Sequence, residues 1–310
     1  MTEIPLISVI IPTYNRAHLI SRAIKSVLRQ THQKYELIII DDGSTDNTRE
    51  VINDYGDERF KYVFFKENRG SPGRARNAGI MLAQGEYIAF MDSDDEWLPH
   101  KLEEEIKALA DLPEEYGVVY SGGWAYQRNK ERRYIPYASQ RAKSGDLKEI
   151  VLRTGLIWPS GAMVKRQCFD RVGMFDESLP AIEDWEFWIR VSKAYHFYYL
   201  QKPLWNYNLN DSGSLSSNEE ALLCALQLIY KKHYDDIRRF RYIEAKYLFW
   251  IGNLLIKSGQ TREGRRHLVK SLILRPTALE TLSCWAISFL GQRLYVSIDG
   301  IKQWIKSRLR

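Results

Sequence analysis

Short apolar runs alternate with helical patterns over the first 120 residues of this 310-residue chain. Runs typical of β-strands occur at residues 6–11, 36–41, 60–65, 86–91 and 117–121. Helical patterns lie between them, at residues 17–30, 47–55, 73–83 and 99–110. Several of the runs are continuously apolar, as strands covered on both faces are. The alternation therefore predicts an α/β fold with a doubly wound, mostly parallel sheet that has helices on both faces.

The strand predicted at residues 36–41 ends in two adjacent acids, Asp41 and Asp42. The Gly, Ser, Thr and Asp that follow at residues 43–46 favour a turn and a helix cap. A turn does not explain two adjacent carboxylates, because they repel each other unless something bridges or uses them. Ligands of parallel sheets bind at the carboxyl ends of strands, where a carboxylate accepts hydrogen bonds from a base edge or a ribose. We therefore predict that this strand end binds a nucleotide.

Four carboxylates in five positions follow the strand predicted at residues 86–91, in the sequence Asp92-Ser93-Asp94-Asp95-Glu96. Mg²⁺ sites commonly combine one or two carboxylates with substrate phosphates. An Asp-x-Asp pair that leaves a buried strand suits this chemistry, with one carboxylate on the metal. One acid, Asp95 or Glu96, is explained as the N-cap of the next helix. The remaining acids predict a site for a hard divalent cation such as Mg²⁺.

Residues 68–79, between the two acidic strand ends, are rich in small residues and arginine. Small residues let the backbone approach a ligand, and the N-terminus of the helix that follows favours anions. The guanidinium groups of Arg74 and Arg76 match the geometry of a diphosphate. A solvent-exposed loop has the same composition, and the Walker pattern is absent because no Gly-Lys-Ser/Thr follows.

Five segments together resemble the family 2 glycosyltransferases, which share the GT-A fold. They occur in the family's order over about two thirds of the chain, at residues 8–15, 41–46, 75–79, 85–95 and 183–188. Each segment alone is weak evidence, whereas five in order are highly specific. The resemblance implies an enzyme that transfers a sugar from a nucleotide-sugar donor.

The resemblance also implies roles for individual residues. Those assigned to nucleotide-sugar binding are Pro12, Thr13, Tyr14, Asp42, Arg76, Asp92 and Ser93. Asp42 pairs with the base, usually uracil, and Asp92 and Asp94 form the metal-binding D-x-D motif, with Asp94 as the more direct ligand of Mn²⁺ or Mg²⁺. Asp184 is the catalytic base. Glu183 is the competing candidate for that role, and we interpret it as a solvent-facing acid at a helix start.

The implied reaction is a metal-dependent, inverting transfer by a hexosyltransferase. A sugar moves from a UDP-sugar to a hydroxyl group of a lipid-linked or polysaccharide glycan. A carboxylate removes the proton of the acceptor hydroxyl, and a divalent ion neutralises the departing nucleoside diphosphate. Two alternatives remain open. One is a catalytically silent nucleotide-sugar-binding or scaffold protein, against which Asp92, Asp94 and Asp184 argue; the other is a sugar nucleotidyltransferase, whose glycine-rich N-terminal loop is absent.

Two further segments each have two interpretations. Trp185 and Trp188 follow the implied base and either stack on a sugar ring or, as is more usual for aromatic residues on a helix, belong to the core. Residues 158–162 lie where the family has acceptor-side loops, although an ordinary loop that enters a strand has the same sequence character.

Helical periods replace the strand pattern beyond residue 217. We therefore predict a GT-A domain over residues 1–216, with a nucleotide-binding half at about 1–120 and an acceptor half at about 121–216, followed by a helical region over residues 217–310. Residues 248–276 match one helix–turn–helix unit of the tetratricopeptide type. Because one repeat does not bury its own face, we expect a hairpin packed on neighbouring helices.

Basic residues are concentrated at the C-terminal end. Residues 238–310 contain 15 Lys and Arg against four acidic residues, a net charge of +11 in a chain of net charge +6. The last residues place Leu294, Ile298, Ile301 and Ile305 on one helical face near Trp304, which is typical of a helix at a membrane interface. A surface helix packed on the domain has the same pattern. The first interpretation predicts contact with an anionic membrane surface.

Other features favour a cytoplasmic protein, peripheral on the inner face of the plasma membrane. No signal peptide precedes the first predicted strand, and no apolar run is long enough to span a bilayer. The three cysteines, Cys168, Cys224 and Cys284, are far apart and fit reduced, buried thiols. Nucleic acid is excluded as a partner because the acidic first part repels phosphates and no recognition motif is present.

Overall fold

The computed structural model of the protein describes residues 4–68, 70–126, 132–136, 142–208 and 218–298. These residues divide into two compact units, one with residues 4–178 and 183–208 and the other with residues 179–182 and 218–298. The boundary that the sequence places at residue 216 lies outside the described residues.

The first unit is an α/β unit in which strands and helices alternate over most of the chain. Its strands are β1 (Ile7–Thr13), β2 (Tyr35–Asp41), β3 (Phe60–Phe64), β4 (Tyr87–Phe90), β5 (Glu96–Trp97), β6 (Tyr116–Tyr126), β7 (Arg132–Ile135), β8 (Ala162–Lys165) and β9 (His196–Asn208). Its α-helices are α1 (Ile20–Leu28), α2 (Thr48–Asn53), α3 (Pro72–Leu82), α4 (Lys101–Ala110), α5 (Lys148–Arg153), α6 (Gln167–Val172) and α7 (Glu183–Ala194).

All the strands join in one sheet of order β3-β2-β1-β4-β8-β6-β9-β5, with β7 paired to β6. The ladders from β3 to β4 are parallel, and β6 is also parallel to β9. Strands β5, β7 and β8 pair antiparallel to their neighbours, so the second half of the sheet is mixed. The predicted α/β fold is therefore confirmed.

Apolar side chains cover both faces of the sheet. Val9 and Ile11 of β1 pack in the core with Ile24 of α1. Ile10 points to the other face and lies against Gly79 of α3, where a Cβ atom would approach the Ile10 Cγ2 atom to 2.4 Å. A larger residue at position 79 would push α3 away from the sheet. The continuously apolar sequence of these strands reflects this double coverage.

The strand expected at residues 117–121 extends to Tyr126 in β6. Gly122 and Gly123, which read as the end of a strand, instead make room for aromatic rings on the two faces. A Cβ atom at Gly122 would lie 2.0 Å from the Tyr134 hydroxyl oxygen, and one at Gly123 would lie 2.7 Å from the Trp205 ring. Glycine here marks close packing within the sheet rather than a turn.

The expectation that Asp95 or Glu96 caps the next helix is wrong. Glu96 belongs to β5, and α4 begins at Lys101, after His100. The chain stays extended here because Trp97 is buried and its indole N–H donates to the Ser160 carbonyl at 2.8 Å. This hydrogen bond satisfies the polar end of a large buried side chain. Burial of Trp97 therefore keeps the chain extended here and delays the start of the helix.

The second unit is helical, as the sequence predicts. Its α-helices are α8 (Glu219–Lys232), α9 (Tyr234–Ile237), α10 (Arg241–Lys257), α11 (Thr261–Leu274) and α12 (Leu279–Ile287), and residues 292–298 are also helical. Helices α10 and α11 form the expected hairpin. They approach closely at Gly252 and Gly264, since a Cβ atom on Gly252 would lie 2.9 Å from the Gly264 carbonyl oxygen.

The last helical segment that the structure describes, residues 292–298, has one buried and one exposed apolar side. Tyr295 is buried in a cluster with Ile256, Leu268 and Cys284, whereas Leu294 is 54% exposed. The rest of the predicted interfacial helix, with Ile301, Trp304 and Ile305, lies outside the described residues. Within the part of the chain that is described, no helix has both the length and the apolar character needed to cross a membrane.

The cysteines only partly match the expectation of buried thiols. Cys168 and Cys284 are buried, but Cys224 is exposed on α8. The expectation was wrong for Cys224. The buried residues of α8, which include Leu223 and Ala225, lie on one face of the helix, and Cys224 lies on the opposite, exposed face.

Candidate active site

The loops that follow β1 and β2 are joined by Asn15. Its backbone N–H donates to Ser44 Oγ at 2.9 Å, and its own Oδ1 accepts from the Thr45 backbone N–H at 2.8 Å. Asn15 has a φ of 51°, a left-handed conformation that asparagine tolerates better than most residues. The sequence analysis gave Asn15 no role, although an asparagine directly after a strand was the available signal.

The two acids at the end of β2 have different environments. Asp41 is fully buried, and its carboxylate accepts from the Ser44 backbone N–H at 2.8 Å and from the Tyr62 hydroxyl at 2.9 Å. Burial and this contact raise the pKa of Tyr62. Asp42 instead pairs with Arg74 at 3.1 Å. The two adjacent carboxylates are thus tolerated because each has its own partner.

The residues assigned to the nucleotide pocket lie beside Asp42. The Thr13 carbonyl oxygen accepts from the Asp42 backbone N–H at 2.9 Å, and Pro12 precedes it in β1. The Thr13 hydroxyl is buried and has no hydrogen-bond partner among the described residues. Tyr14 is 41% exposed. This strand end therefore offers one buried polar group and one exposed ring to a ligand.

The acidic loop after β4 is held in place through its backbone. The Asp92 N–H donates to Ser160 Oγ at 2.9 Å, and the Asp94 carbonyl oxygen accepts from Asn208 at 3.4 Å and also from Arg22. Ser93, between the two aspartates, is buried. These contacts fix the backbone of the D-x-D loop at both of its aspartates.

Asp95 is the most buried acid of this loop. One of its carboxylate oxygens, Oδ1, has no hydrogen-bond partner within the described residues. Burial raises the pKa of Asp95 well above its usual range, and the nearby Asp94 and Asp92 raise it further, while Ser160 opposes this. Residues 158–162 were interpreted either as an acceptor-side loop or as an ordinary loop that enters a strand. The structure shows a contact between Ser160 and the acidic loop, which the sequence analysis did not predict.

Arg76 joins two segments that the sequence identified separately. Its guanidinium pairs with Asp92 at 2.6 Å and also with Glu183, and its side chain is 5% exposed. Although burial alone would lower the pKa of Arg76, the carboxylates of Asp92, Glu183 and Asp184 raise it above its ordinary value. The D-x-D loop and the start of α7 therefore meet at one buried cation.

The interpretation of Glu183 as a solvent-facing acid is wrong, since Glu183 is only 4% exposed. A buried guanidinium is costly unless a carboxylate compensates it, and Glu183 supplies that charge to Arg76. The sequence showed two adjacent acids at a helix start but not which of them faced the arginine.

Asp184 lies in the first turn of α7 and is half-buried. Burial and the neighbouring Glu183 raise the pKa of Asp184 to about 7, and Arg76 opposes this rise. A carboxyl group with this pKa both takes up and releases a proton near neutral pH, which suits a general base. Ile182, which directly precedes α7 and lies two residues before Asp184, has a φ of 49°, a strained conformation for a β-branched residue.

Trp185 and Trp188 belong to the core. The Trp185 indole N–H donates to the Val151 carbonyl oxygen at 2.6 Å, and Trp188 is 1% exposed and contacts the ring of Phe197. The interpretation of these two residues as packing residues is therefore confirmed, and neither ring is free to stack on a sugar.

The donor set fits a metal ion that binds together with a diphosphate. Among the described residues, no group of three or more His, Cys, Asp or Glu side chains is arranged to hold a metal ion. Asp92 retains 33% side-chain exposure and Asp94 is partly exposed. Two carboxylates are the usual protein contribution where substrate phosphates complete the coordination of Mg²⁺.

A parallel half-sheet, a mixed half-sheet and an acidic loop between them place the protein in the GT-A class of glycosyltransferase folds. The chain belongs to the family described as glycosyl transferase family 2, whose model matches residues 8–173. The family that the five sequence segments indicated is therefore confirmed.

Curated relatives in bacteria agree with this family. The putative teichuronic acid biosynthesis glycosyltransferase TuaG of Bacillus subtilis is 30% identical over 79% of this chain and 93% of its own length. The Escherichia coli UDP-Glc:alpha-D-GlcNAc-diphosphoundecaprenol beta-1,3-glucosyltransferase WfgD is 44% identical over 34% of this chain and 41% of its own. The uncharacterized glycosyltransferase RT0329 of Rickettsia typhi is 34% identical over 63% of this chain, and the match spans 62% of that relative. For four further Rickettsia relatives the match spans 29% to 61% of their length.

Solved structures with the same fold include the following two. Staphylococcus aureus TarS, in complex with UDP-GlcNAc, superposes with a TM-score of 0.68 and 20% identity over 96% of this chain and 91% of that chain. The mannosyltransferase PcManGT of Pyrobaculum calidifontis, in complex with GDP-Man and Mn²⁺, gives a TM-score of 0.60 and 20% identity over 98% and 89%.

Proposed function

We propose that the protein is an inverting, metal-dependent glycosyltransferase that transfers a sugar from a UDP-sugar to a hydroxyl group. The observation that carries this proposal is the contact of Arg76 with both Asp92 and Glu183. It brings the start of α7, with Asp184, to the acidic loop that follows β4. A donor site and a proton acceptor thus adjoin each other, as a single displacement requires.

The donor end of the proposal rests on Asp42, Thr13 and the D-x-D loop. Asp42 is suited to accept a hydrogen bond from the base. The Thr13 hydroxyl, which has no hydrogen-bond partner among the residues that the structure describes, lies at the same strand end. The names of WfgD and TarS include UDP-sugars, which supports a uridine nucleotide here. Asp94 and Asp92 would hold Mn²⁺ or Mg²⁺, which supplies positive charge for the departing diphosphate.

Asp184 acts as the base in this proposal. The proton of the acceptor hydroxyl passes to the Asp184 carboxylate while the hydroxyl oxygen forms a bond to the anomeric carbon. The bond from that carbon to the diphosphate oxygen breaks, and its electron pair leaves with the nucleoside diphosphate. Attack on the face opposite the leaving group inverts the configuration. Arg76 holds Asp92 and Glu183 in place beside this path.

The metal role is tested with Asp94→Ala. This change removes a carboxylate oxygen from the site, so we expect the Mn²⁺-dependent affinity for UDP to fall by about tenfold or more. Titration calorimetry with and without Mn²⁺ measures the difference. Asp111→Ala, an exposed acid at the end of α4, is the matched control and should bind UDP as the wild type does. Equal Mn²⁺-dependent affinity in Asp94→Ala and the wild type contradicts the metal assignment.

A lipid-linked or polysaccharide acceptor at an anionic membrane surface completes the proposal. The name of WfgD includes a diphosphoundecaprenol-linked sugar, which supports an acceptor of this class. The helical unit supports the membrane contact, since it exposes Leu279, Leu290 and Leu294 among its described residues. The net charge of +11 over residues 238–310 favours anionic lipid headgroups. We propose a cytoplasmic protein that binds this surface peripherally.

Neutralising the C-terminal cations tests the membrane contact. We expect the variant with Lys302, Lys306, Arg308 and Arg310 changed to glutamine to lose most binding to phosphatidylglycerol vesicles at low salt. Each cation near such a surface contributes about 1 kcal/mol, so four exchanges weaken binding by about two orders of magnitude or more. Vesicle co-sedimentation measures this. Glutamine variants are preferable to a deletion from Gln292, because Tyr295 is part of a buried cluster.

Two controls accompany the vesicle experiment. Neutral phosphatidylcholine vesicles should bind the wild type poorly, and high salt should release it from anionic vesicles. A wild-type protein that does not bind anionic vesicles at low salt contradicts the membrane proposal.

A further inference from the structure

Two rows of side chains cross the second half of the sheet on one face. The first row follows the strand register from β7 to β5 and consists of Tyr134, Trp124, Asn206 and Glu96. The second row consists of Arg132, Tyr126 and Asn208. Because side chains alternate along a strand, the intervening residues of β6 and β9 point to the opposite face, where Ala125 and Trp205 belong to the core.

This face is the one that α7 covers further along the sheet. Phe197 of β9 contacts Trp188 of α7, with ring centroids 6.2 Å apart, and it pairs in register with Val118 of β6. Val118 and Trp124 are six residues apart in one strand and therefore share a face. The rows and α7, which carries Asp184 in its first turn, thus lie on the same side of the sheet.

The rows reach the acidic loop at one end. Asn206 donates through Nδ2 to Glu96 at 3.1 Å, and Asn208 donates through Nδ2 to the Asp94 carbonyl oxygen at 3.4 Å. Trp124 is paired with Asn206 across the sheet. Strand β9, which carries these two asparagines, is therefore the direct neighbour of the strand that carries Trp124.

The aromatic residues of the first row are held rigidly. The rings of Trp124 and Tyr134 meet edge to face with centroids 5.5 Å apart, and the hydroxyl groups of Tyr134 and Tyr199 are hydrogen-bonded at 2.9 Å. Gly122 leaves room for the Tyr134 hydroxyl directly on the sheet. Trp124 and Tyr134 both remain partly exposed. A rigid, partly exposed aromatic pair next to a reaction site is suited to the flat apolar face of a sugar ring.

Asn206 adds a buried hydrogen-bond acceptor, its side-chain oxygen Oδ1. Its side chain is 8% exposed, and its Oδ1 has no hydrogen-bond partner among the described residues. A buried amide oxygen is costly unless it accepts a hydrogen bond. A sugar hydroxyl that lies over Trp124 is a donor of the right kind. Arg132 of β7 has its guanidinium over one face of the Trp124 ring, 4.5 Å from the ring centroid, so the sugar has the other face to stack on.

We propose that the two rows form the acceptor subsite, in which the pyranose ring that carries the reacting hydroxyl stacks on Trp124 and donates a hydrogen bond to Asn206 Oδ1. This inference rests on the proposed function, since it takes the donor site to be at the D-x-D loop. The occupant is a sugar ring of a glycan acceptor. The side chains of the two rows bind and orient that ring. Asp184 lies on the same face of the sheet.

The test compares Trp124→Ala, Trp124→Phe and Tyr207→Ala. Tyr207 is the matched control because it is paired with Ala125 and lies on the opposite face of the same strands. The probes are the methyl glycosides of N-acetylglucosamine, glucose, galactose and mannose, titrated by saturation-transfer NMR in the presence of UDP and Mn²⁺. We expect the wild type to bind at least one of them. Trp124→Ala should weaken that binding by about tenfold, and Trp124→Phe should restore most of it.

The outcomes separate this inference from the proposed function. Tyr207→Ala should bind the glycoside as the wild type does, and circular dichroism checks that all variants are folded. Binding in Trp124→Ala that equals the wild type, or a wild type that binds none of the four glycosides, overturns the acceptor subsite. Hydrolysis of UDP-sugars by the wild type with Mn²⁺ is measured separately, and its absence contradicts the proposed function instead.

Discussion

Replacing Asp184 with asparagine is expected to lower kcat for sugar transfer by about 10²–10⁴-fold, while the affinity for UDP with Mn²⁺ stays close to that of the wild type. Asparagine keeps the shape of the side chain but does not accept the proton of the acceptor hydroxyl. The pH profile gives a second readout. Because the pKa of Asp184 is raised to about 7, its basic form is lost as pH falls below that value. The kcat/KM of the wild type should therefore fall by about tenfold per pH unit below 7, and Asp184→Asn should lack this slope.

Glu183→Gln is the matched control for this experiment. Glu183 is adjacent to Asp184, but its carboxylate pairs with Arg76. We expect Glu183→Gln to lower the free energy of unfolding, because Arg76 loses a buried countercharge. The same change should lower kcat much less than Asp184→Asn does. A larger loss of kcat in Glu183→Gln than in Asp184→Asn would move the base to Glu183. Small and equal losses in both variants would favour a catalytically silent nucleotide-sugar-binding protein.

Replacing Arg76 with glutamine should be the most destabilising of the substitutions considered. The change leaves Glu183 buried without its cation and removes the partner of Asp92. Breaking a buried ion pair by removing one partner typically costs about 3–5 kcal/mol. Urea unfolding, followed by a signal from the α/β unit, measures the loss. Donor binding should also weaken, since Asp92 no longer has its fixed position.

Arg74→Gln is the control for Arg76. Arg74 pairs with Asp42 but is more exposed, with 22% of its side chain accessible. Ion pairs that remain in contact with water contribute about 0–1 kcal/mol, so Arg74→Gln should change the free energy of unfolding little. The double variant Arg76→Gln/Glu183→Gln should recover part of the stability lost in Arg76→Gln, because it removes the uncompensated carboxylate. Equal stability of Arg74→Gln and Arg76→Gln contradicts the structural role of Arg76.

The first half of the fold was predictable because its sequence pattern is local. Each of the first four strands is a short apolar run, and the predicted bounds agree with β1 to β4 within two residues. Asp42, Asp92 and Asp94 remain predicted site residues, proposed from the sequence because carboxylates at strand ends have few purely structural explanations. The strand-end pattern alone did not distinguish Asp41, whose carboxylate is used within the fold, from Asp42, which only the family resemblance singled out.

The second half was less predictable because its structure depends on long-range packing. Gly122 and Gly123 look like the end of a strand, and only the rings of Tyr134 and Trp205 explain why β6 continues. Glu183 looked exposed because its partner, Arg76, is distant in sequence. The sugar-stacking candidates suggested by the sequence, Trp185 and Trp188, are buried.

The contact between Arg76 and Glu183 also bears on the order in which the protein folds. It joins residues 107 positions apart, whereas the ladders of β1 with β2 and of β2 with β3 join residues much closer in the chain. The entropic cost of closing a loop grows with its length. Contacts between residues that are distant in sequence therefore tend to form after local contacts have formed. During synthesis, the nucleotide-binding strands precede α7 in leaving the ribosome. A chain interrupted before residue 183 thus holds the acidic loop and Arg76 but lacks both the buried countercharge and Asp184. Under the proposed mechanism it therefore transfers no sugar until α7 has docked.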